Sequence, residues 1–123
     1  MNPKVLFPIV VALMMANPLQ SATFTVVNTN STGPGSLEQA ILDANANAGA
    51  DVIAFDLATG GFTIRPTNAL PVITDPVTLD GTTQPGYAGT PKIEIQGVSA
   101  GAAVDGLKIA TSNSVIRGLV FLF

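Results

Sequence analysis

The side chains of this 123-residue chain that could do chemistry are eight carboxylates and five cations. Histidine, cysteine and tryptophan are absent. A Ser-His-Asp triad, a zinc–thiolate site and a disulfide framework are therefore excluded. The net charge of −3 and the small number of basic residues argue against nucleic acid as a partner.

The carboxylates Asp80 and Glu94 are the pair most suggestive of a site. Both are expected to point outward on short strands that could be neighbours, where two carboxylates can bind calcium or act as acid and base. Solvating charges on an exposed face are the favoured explanation, and Asp80 before a glycine also fits a turn. We therefore assign no catalytic, cofactor-binding or metal-binding residue. The excess of acids would support only calcium sites of low affinity, since the chain has neither a D-x-D-x-D-G loop nor a G-G-x-G-x-D repeat.

Residues 1–22 have the order of a secretory signal peptide. A single lysine precedes an apolar run from Val5 to Ala16, and Pro18 and the small residues Ser21 and Ala22 follow. The run is too short to cross a bilayer, which needs about 20 residues. The sequence predicts cleavage after Ala22, to within one or two residues, and an exported protein without a membrane segment once the signal is removed. A buried N-terminal helix and a retained lipid anchor are the alternatives.

One amphipathic helix is predicted from Ser36 to Ala48. Ser36 and Gln39 have the spacing of a capping box, and Gly49 fits the position after the last turn. Apolar residues fall on one stripe at positions 37, 40, 41 and 44. With the short strand before it, this helix forms a predicted N-terminal unit, residues 23–50. Its structural residues are Ser36, Leu37, Gln39, Ile41 and Ala44.

After Gly49 the hydrophobic period changes from 3.6 to 2, which is typical of strands. Short strands are predicted at 52–57, 62–65, 77–80, 92–96, 107–109 and 116–121, the last with a bend at Gly118. The long connections between them, which lack a helical pattern, suit either a β-sandwich with long loops or a β-solenoid. The residues expected to stack in the interior are Ile53, Phe55, Ile64, Leu79, Ile95, Ile109 and Ile116.

Three segments resemble secreted bacterial right-handed parallel β-helix proteins. Residues 35–45, GSLEQAILDAN, are similar to the SLREAI motif near the N-terminus of that family, and residues 73–87, ITDPVTLDGTTQPGY, resemble the same region. Residues 112–120, SNSVIRGLV, resemble a coil repeat. The chain departs from the family motif with Glu-Gln where Arg-Glu is common, and with glycine rather than cysteine before Ser36.

This resemblance implies a mainly β fold: the start of a right-handed parallel β-helix, a solenoid of the pectin-lyase type, with one N-terminal capping α-helix. Leu37, Ile41 and Ala44 would face the first coil and block an otherwise open end. Residues 51–123 would be the first coils. Because the sequence ends on VFLF rather than on a polar cap, we expect those coils to continue, and a stand-alone chain that oligomerises is the alternative.

The function that follows is non-catalytic: the cap and opening coils of an exported cell-surface or secreted protein. Its partners would be downstream coils of the same chain and a surface polysaccharide, with adhesion or carbohydrate binding further along. One alternative is the opening of a polysaccharide lyase or hydrolase, enzymes that the resemblance associates with outward carboxylates, calcium and an arginine base. Arg65 and Arg117 would be the candidate bases. A small secreted β-sandwich binding module is the other alternative.

Overall fold

The protein is described here by a computed structural model that covers residues 20–59, 61–102 and 104–123. The predicted signal peptide, residues 1–22, lies almost wholly outside these described residues. No helix in the described part is both long and apolar enough to cross a membrane. The elements are β1 (Thr23–Val26), α1 (Leu37–Ala46), β2 (Asp51–Phe55), β3 (Thr63–Ile64), β4 (Val77–Asp80), β5 (Ile93–Gln96), β6 (Val115–Arg117) and β7 (Leu119–Leu122).

The strands form two sheets, and every strand pair in them is parallel. The first sheet has the order β1-β2-β4-β6, and the second has the order β3-β5-β7. From β2 onward, successive strands therefore alternate between the sheets. A further parallel contact, an isolated bridge between Ile73 and Ile109, lies outside both. The described part of the chain thus combines one α-helix with parallel strands in two sheets.

Alternation along the strands builds the core, because every second side chain of a strand points to the same face. In the first sheet, Ile53 pairs with Leu79 in register. In the second sheet, Ile64 pairs with Ile95 in the same way. The largest fully buried apolar side chains are Val26, Leu37, Ile41, Ile53, Phe55, Ile64, Ile73, Val77, Leu79, Ile93 and Ile95.

The predicted helix is present as α1, two residues shorter at its end than expected. The Ser36 hydroxyl accepts the N–H of Gln39 at 3.2 Å and caps the first turn. The reciprocal half of the capping box is not formed, because the Gln39 side chain donates instead to Asp43 at 2.9 Å. The Ser36 N–H is satisfied by the carbonyl of Gly33 at 3.1 Å. The helix buries Leu37, Ala40, Ile41 and Ala44.

Three predicted strands need correction. The strand expected at 116–121 is two strands, β6 and β7, which lie in different sheets on either side of Gly118. The strand expected at 62–65 is reduced to β3, since Pro66 follows and lacks an N–H for a ladder. The strand expected at 107–109 is no strand, and only the bridge of Ile109 to Ile73 remains. The predicted interior stack also includes two residues, Ile109 and Ile116, that the structure does not fully bury. Ile109 is 42% exposed and Ile116 is half-buried, because within the described residues no further strand pairs with this last layer.

Candidate functional site

The two carboxylates proposed as a pair do not lie on neighbouring strands. Asp80 ends β4 in the first sheet, where its neighbours in register are Ala54 and Arg117. Glu94 lies on β5 in the second sheet. The prediction that their strands could be adjacent is therefore wrong. The spacing of strands along a sequence does not reveal that alternate strands go to different sheets.

Asp80 is the centre of a compact polar cluster on the first sheet. Arg117 on β6 donates to its Oδ2 at 2.6 Å, one step across the sheet. Its Oδ1 accepts both the hydroxyl and the N–H of Thr82, at 2.6 and 3.0 Å. Asp80 was expected to be an exposed charge, but its side chain is only 7% exposed because Arg117 and the turn at Gly81–Thr83 cover it.

This geometry stabilises the ionised form of Asp80. The hydrogen bond from Arg117 lowers the pKa of Asp80 from 3.8 to about 2, with help from the two Thr82 donors and against the effect of burial. Asp80 in turn raises the pKa of Arg117. The pair is therefore held as a carboxylate and a protonated guanidinium.

Glu94 belongs to a different chain of contacts, on the second sheet. Its Oε1 accepts from the Gln96 side-chain amide at 2.5 Å, and the Gln96 Oε1 accepts from Arg65 at 2.9 Å. The Arg65 contact crosses from the end of β3 to β5. Nearby, the Lys92 ammonium lies 5.6 Å from the ring centre of Phe62. Arg65 and Arg117, the two candidate bases, are therefore in separate clusters.

One end of the strand stack is covered by α1, which packs against β1 and β2. The buried face of the helix, with Leu37 and Ile41 fully inaccessible, closes the core on this side. Asn45 ties the helix to the connection that precedes β4: its Nδ2 donates to the carbonyl of Val72 at 2.8 Å and its Oδ1 accepts the N–H of Thr74 at 2.9 Å. The helix is thus fixed both by apolar packing and by hydrogen bonds from the Asn45 side chain to the backbone.

The other end is open and apolar. β6 and β7 are edge strands of the two sheets among the described elements. Half-buried or exposed apolar side chains lie along this end, and an open groove is lined by Gly106, Leu107, Ile109, Ile116, Phe121 and Phe123. Contiguous exposed apolar surface of this kind commonly marks an interaction site.

Phe123 is the most exposed aromatic residue of this groove, at 54%. Its ring lies 6.4 Å from that of Phe121, in a tilted arrangement. It also lies directly on Gly97, where an added Cβ would overlap the ring. Phe123 therefore rests on the surface of the described fold while leaving half of its area available.

Sequence reasoning missed two buried polar residues. Gln84 is 2% exposed, and its side-chain amide accepts the N–H and donates to the carbonyl of Leu57, at 2.8 and 2.9 Å. Asp51 is 1% exposed at the start of β2. The sequence gives no signal for the Gln84 contact, because the two residues lie 27 positions apart. Asp51 follows Gly49 and Ala50, a context typical of an exposed turn, so its burial has no sequence signal either.

The described residues contain no group of three or more carboxylates close enough together to hold a metal ion. In comparisons with known proteins, no family model, curated protein or solved structure matches the chain.

Proposed function

We propose that this chain is the cap and the opening coils of an exported parallel β-helix, and that its open end receives further parallel coils. The observation that carries the proposal is the alternation of successive strands between two wholly parallel sheets. A chain that returns to the same sheet once per circuit, always in the same direction, winds as a coil. The parallel bridge between Ile73 and Ile109 is consistent with a third side where these two segments meet.

We take the coil to be right-handed. Connections between parallel strands of one sheet are right-handed in nearly all proteins. The resemblance of residues 35–45 and 73–87 to secreted right-handed parallel β-helices points to the same hand. The purely parallel pairing does not fit a β-sandwich, whose sheets are antiparallel.

The proposed role is structural. α1 covers the core at one end, so that end cannot pair with another sheet edge. The other end presents the edges of β6 and β7 and the groove lined by Phe121 and Phe123. A further parallel coil would pair with these edges and pack its apolar side chains in this groove. Adhesion or binding of a surface polysaccharide would then be the work of later coils, held away from the cap by the solenoid.

A test of this role uses the natural gene product in its own cells. An antibody against the segment 37–46 should detect a protein on the cell surface or in the medium, and at a size much larger than 123 residues. A product that stays inside the cell would contradict export. A product of only this size, monomeric and folded, would contradict the role as a cap.

The Asp80–Arg117 contact is the one feature that favours a second candidate, the opening of a polysaccharide lyase or hydrolase. It joins a carboxylate and an arginine on neighbouring strands of an outward face. Release of unsaturated sugars from polygalacturonate by the exported product, abolished by Asp80→Asn, would support an enzyme. If the exported product leaves polygalacturonate unchanged, the enzyme candidate is contradicted and the structural role is retained.

A further inference from the structure

Asp51 is a buried carboxylate with an incomplete set of partners. Its Oδ1 accepts the backbone N–H of Ala22 at 2.9 Å and the side-chain amide of Asn47 at 2.7 Å. Its Oδ2 is buried and has no hydrogen-bond partner among the described residues. Neither ion pair in the described part of the chain includes Asp51. A buried carboxylate is costly unless a cation and further donors compensate it.

Ala22 is an integral part of the β1–β2 ladder, although β1 begins one residue later. Its N–H donates to Asp51, and its carbonyl accepts the N–H of Val52 at 2.9 Å. Removal of Ala22 would take away a donor from the buried carboxylate and the acceptor of a strand N–H. Cleavage after Ala22, as the sequence alone predicts, would therefore damage the start of β2.

We propose that the exported chain begins at Ala22 and that its new α-ammonium group pairs with Asp51. This inference rests on the proposed export, and it moves the cleavage site to the Ser21–Ala22 bond. A leader peptidase of the export machinery would hydrolyse that bond: the oxygen of water goes to the carbonyl carbon of Ser21, which becomes a carboxylate, and the Ala22 nitrogen leaves with the protons as an ammonium. Ser21 is itself a small residue, which suits the last position of a leader.

The new α-ammonium group would supply the positive charge and the further hydrogen-bond donor that Asp51 lacks. An ammonium group has three N–H donors in place of the single amide N–H. One can retain the bond to Oδ1, and another can turn to the unpartnered Oδ2. Its positive charge would compensate the buried negative charge at hydrogen-bond distance. Asn47 would lose its 2.8 Å contact to the carbonyl of Gln20 but would keep its bond to Asp51.

The experiment is N-terminal sequencing and intact-mass measurement of the natural product recovered from outside the cells. The expected first residue is Ala22. A first residue of Thr23, or any other start, would overturn the inference while leaving export in place. Retention of the uncleaved product inside the cells would instead overturn the proposed function, and the inference with it.

A second readout tests the ion pair separately from the cleavage site. Labelling of the α-amine by an amine-reactive reagent at neutral pH should be slow in the exported protein, because the ion pair favours the protonated form and only the neutral amine is a nucleophile. Asp51→Asn should raise the labelling rate several-fold. Asp56→Asn, the same change at an exposed aspartate just after β2, should leave it unchanged. Equal rates in the natural protein and in Asp51→Asn would overturn the pairing; the terminal sequence decides the cleavage site even if Asp51→Asn does not fold.

Discussion

Arg117 on β6 donates to Asp80 on β4 at 2.6 Å, and so joins two neighbouring strands of the first sheet on the side away from the core. The two residues are 37 positions apart in the sequence. The contact keeps Asp80 ionised and shields it from water, which explains a buried carboxylate at the end of a strand whose apolar residues face inward.

Loss of Arg117 should restore an ordinary titration to Asp80. In Arg117→Ala we expect the pKa of Asp80 to rise from about 2 toward 3.8, because the largest cause of its depression is removed. An NMR titration of the Asp80 carboxyl measures this. Arg65→Ala, at an arginine of the second sheet, serves as the control and should leave the pKa unchanged. Persistence of a pKa near 2 in Arg117→Ala would contradict the assignment.

The same contact predicts how stability changes in acid. The pKa of Asp80 is lower in the folded protein than in the unfolded chain, so its contribution is fully present above pH 3.8 and is lost as the pH falls to about 2. Arg117→Ala should lose less stability over that window than the natural protein. Unfolding by denaturant at several pH values measures the difference, and identical acid profiles would contradict the prediction.

Gln84 should be more important to folding than its surface-loop context suggests. Gln84→Ala removes both partners of the Leu57 backbone and leaves buried groups unsatisfied, so we expect a loss of about 2–4 kcal/mol. Gln96→Ala, at a glutamine that is only half-buried, should cost less than about 1 kcal/mol. Denaturant unfolding compares the two. Equal losses in the two variants would contradict the prediction that the two hydrogen bonds between Gln84 and the Leu57 backbone stabilise the fold.

Gly81 and Gly118 are stacked so closely that neither can carry a side chain. A Cβ on Gly81 would lie 2.0 Å from the carbonyl oxygen of Gly118. Gly81→Ala should therefore destabilise the protein by about 2–3 kcal/mol or more. The matched change Gly61→Ala meets no atom within 4 Å and should stay within about 0.5 kcal/mol. Thermal unfolding measures both variants. An equal fall in the thermal midpoint of Gly81→Ala and Gly61→Ala would contradict the close approach of Gly81 to Gly118.

The helix and the inward-facing residues could be predicted from the sequence because they depend on local periodicity. Ser36 as the cap, the stripe containing Leu37 and Ile41, and the burial of Ile53 and Leu79 all follow from spacings of two, three or four residues. These features are fixed by the geometry of a single element, and they agree with the structure.

The pairing of strands could not be predicted in the same way. The separation of Asp80 from Glu94, and the contact of Asp80 with Arg117, depend on which strands become neighbours after long connections. The length of a connection does not determine which strands become neighbours. The exposure of Ile109 is likewise a consequence of its place in the last described layer, which its alternating local sequence does not reveal.

Hydrogen exchange of the natural product tests the central claim most directly. Alternate N–H groups of an edge strand in a parallel sheet point away from its one neighbour, so β6 and β7 are protected throughout only if a further layer covers them. If the chain is the opening of a longer β-helix, peptides covering 115–122 should exchange as slowly as those covering β2 and β4. Exchange of about half of these amides as fast as those of the loop at 28–35, with β2 and β4 still protected, would show an uncovered end and contradict the account.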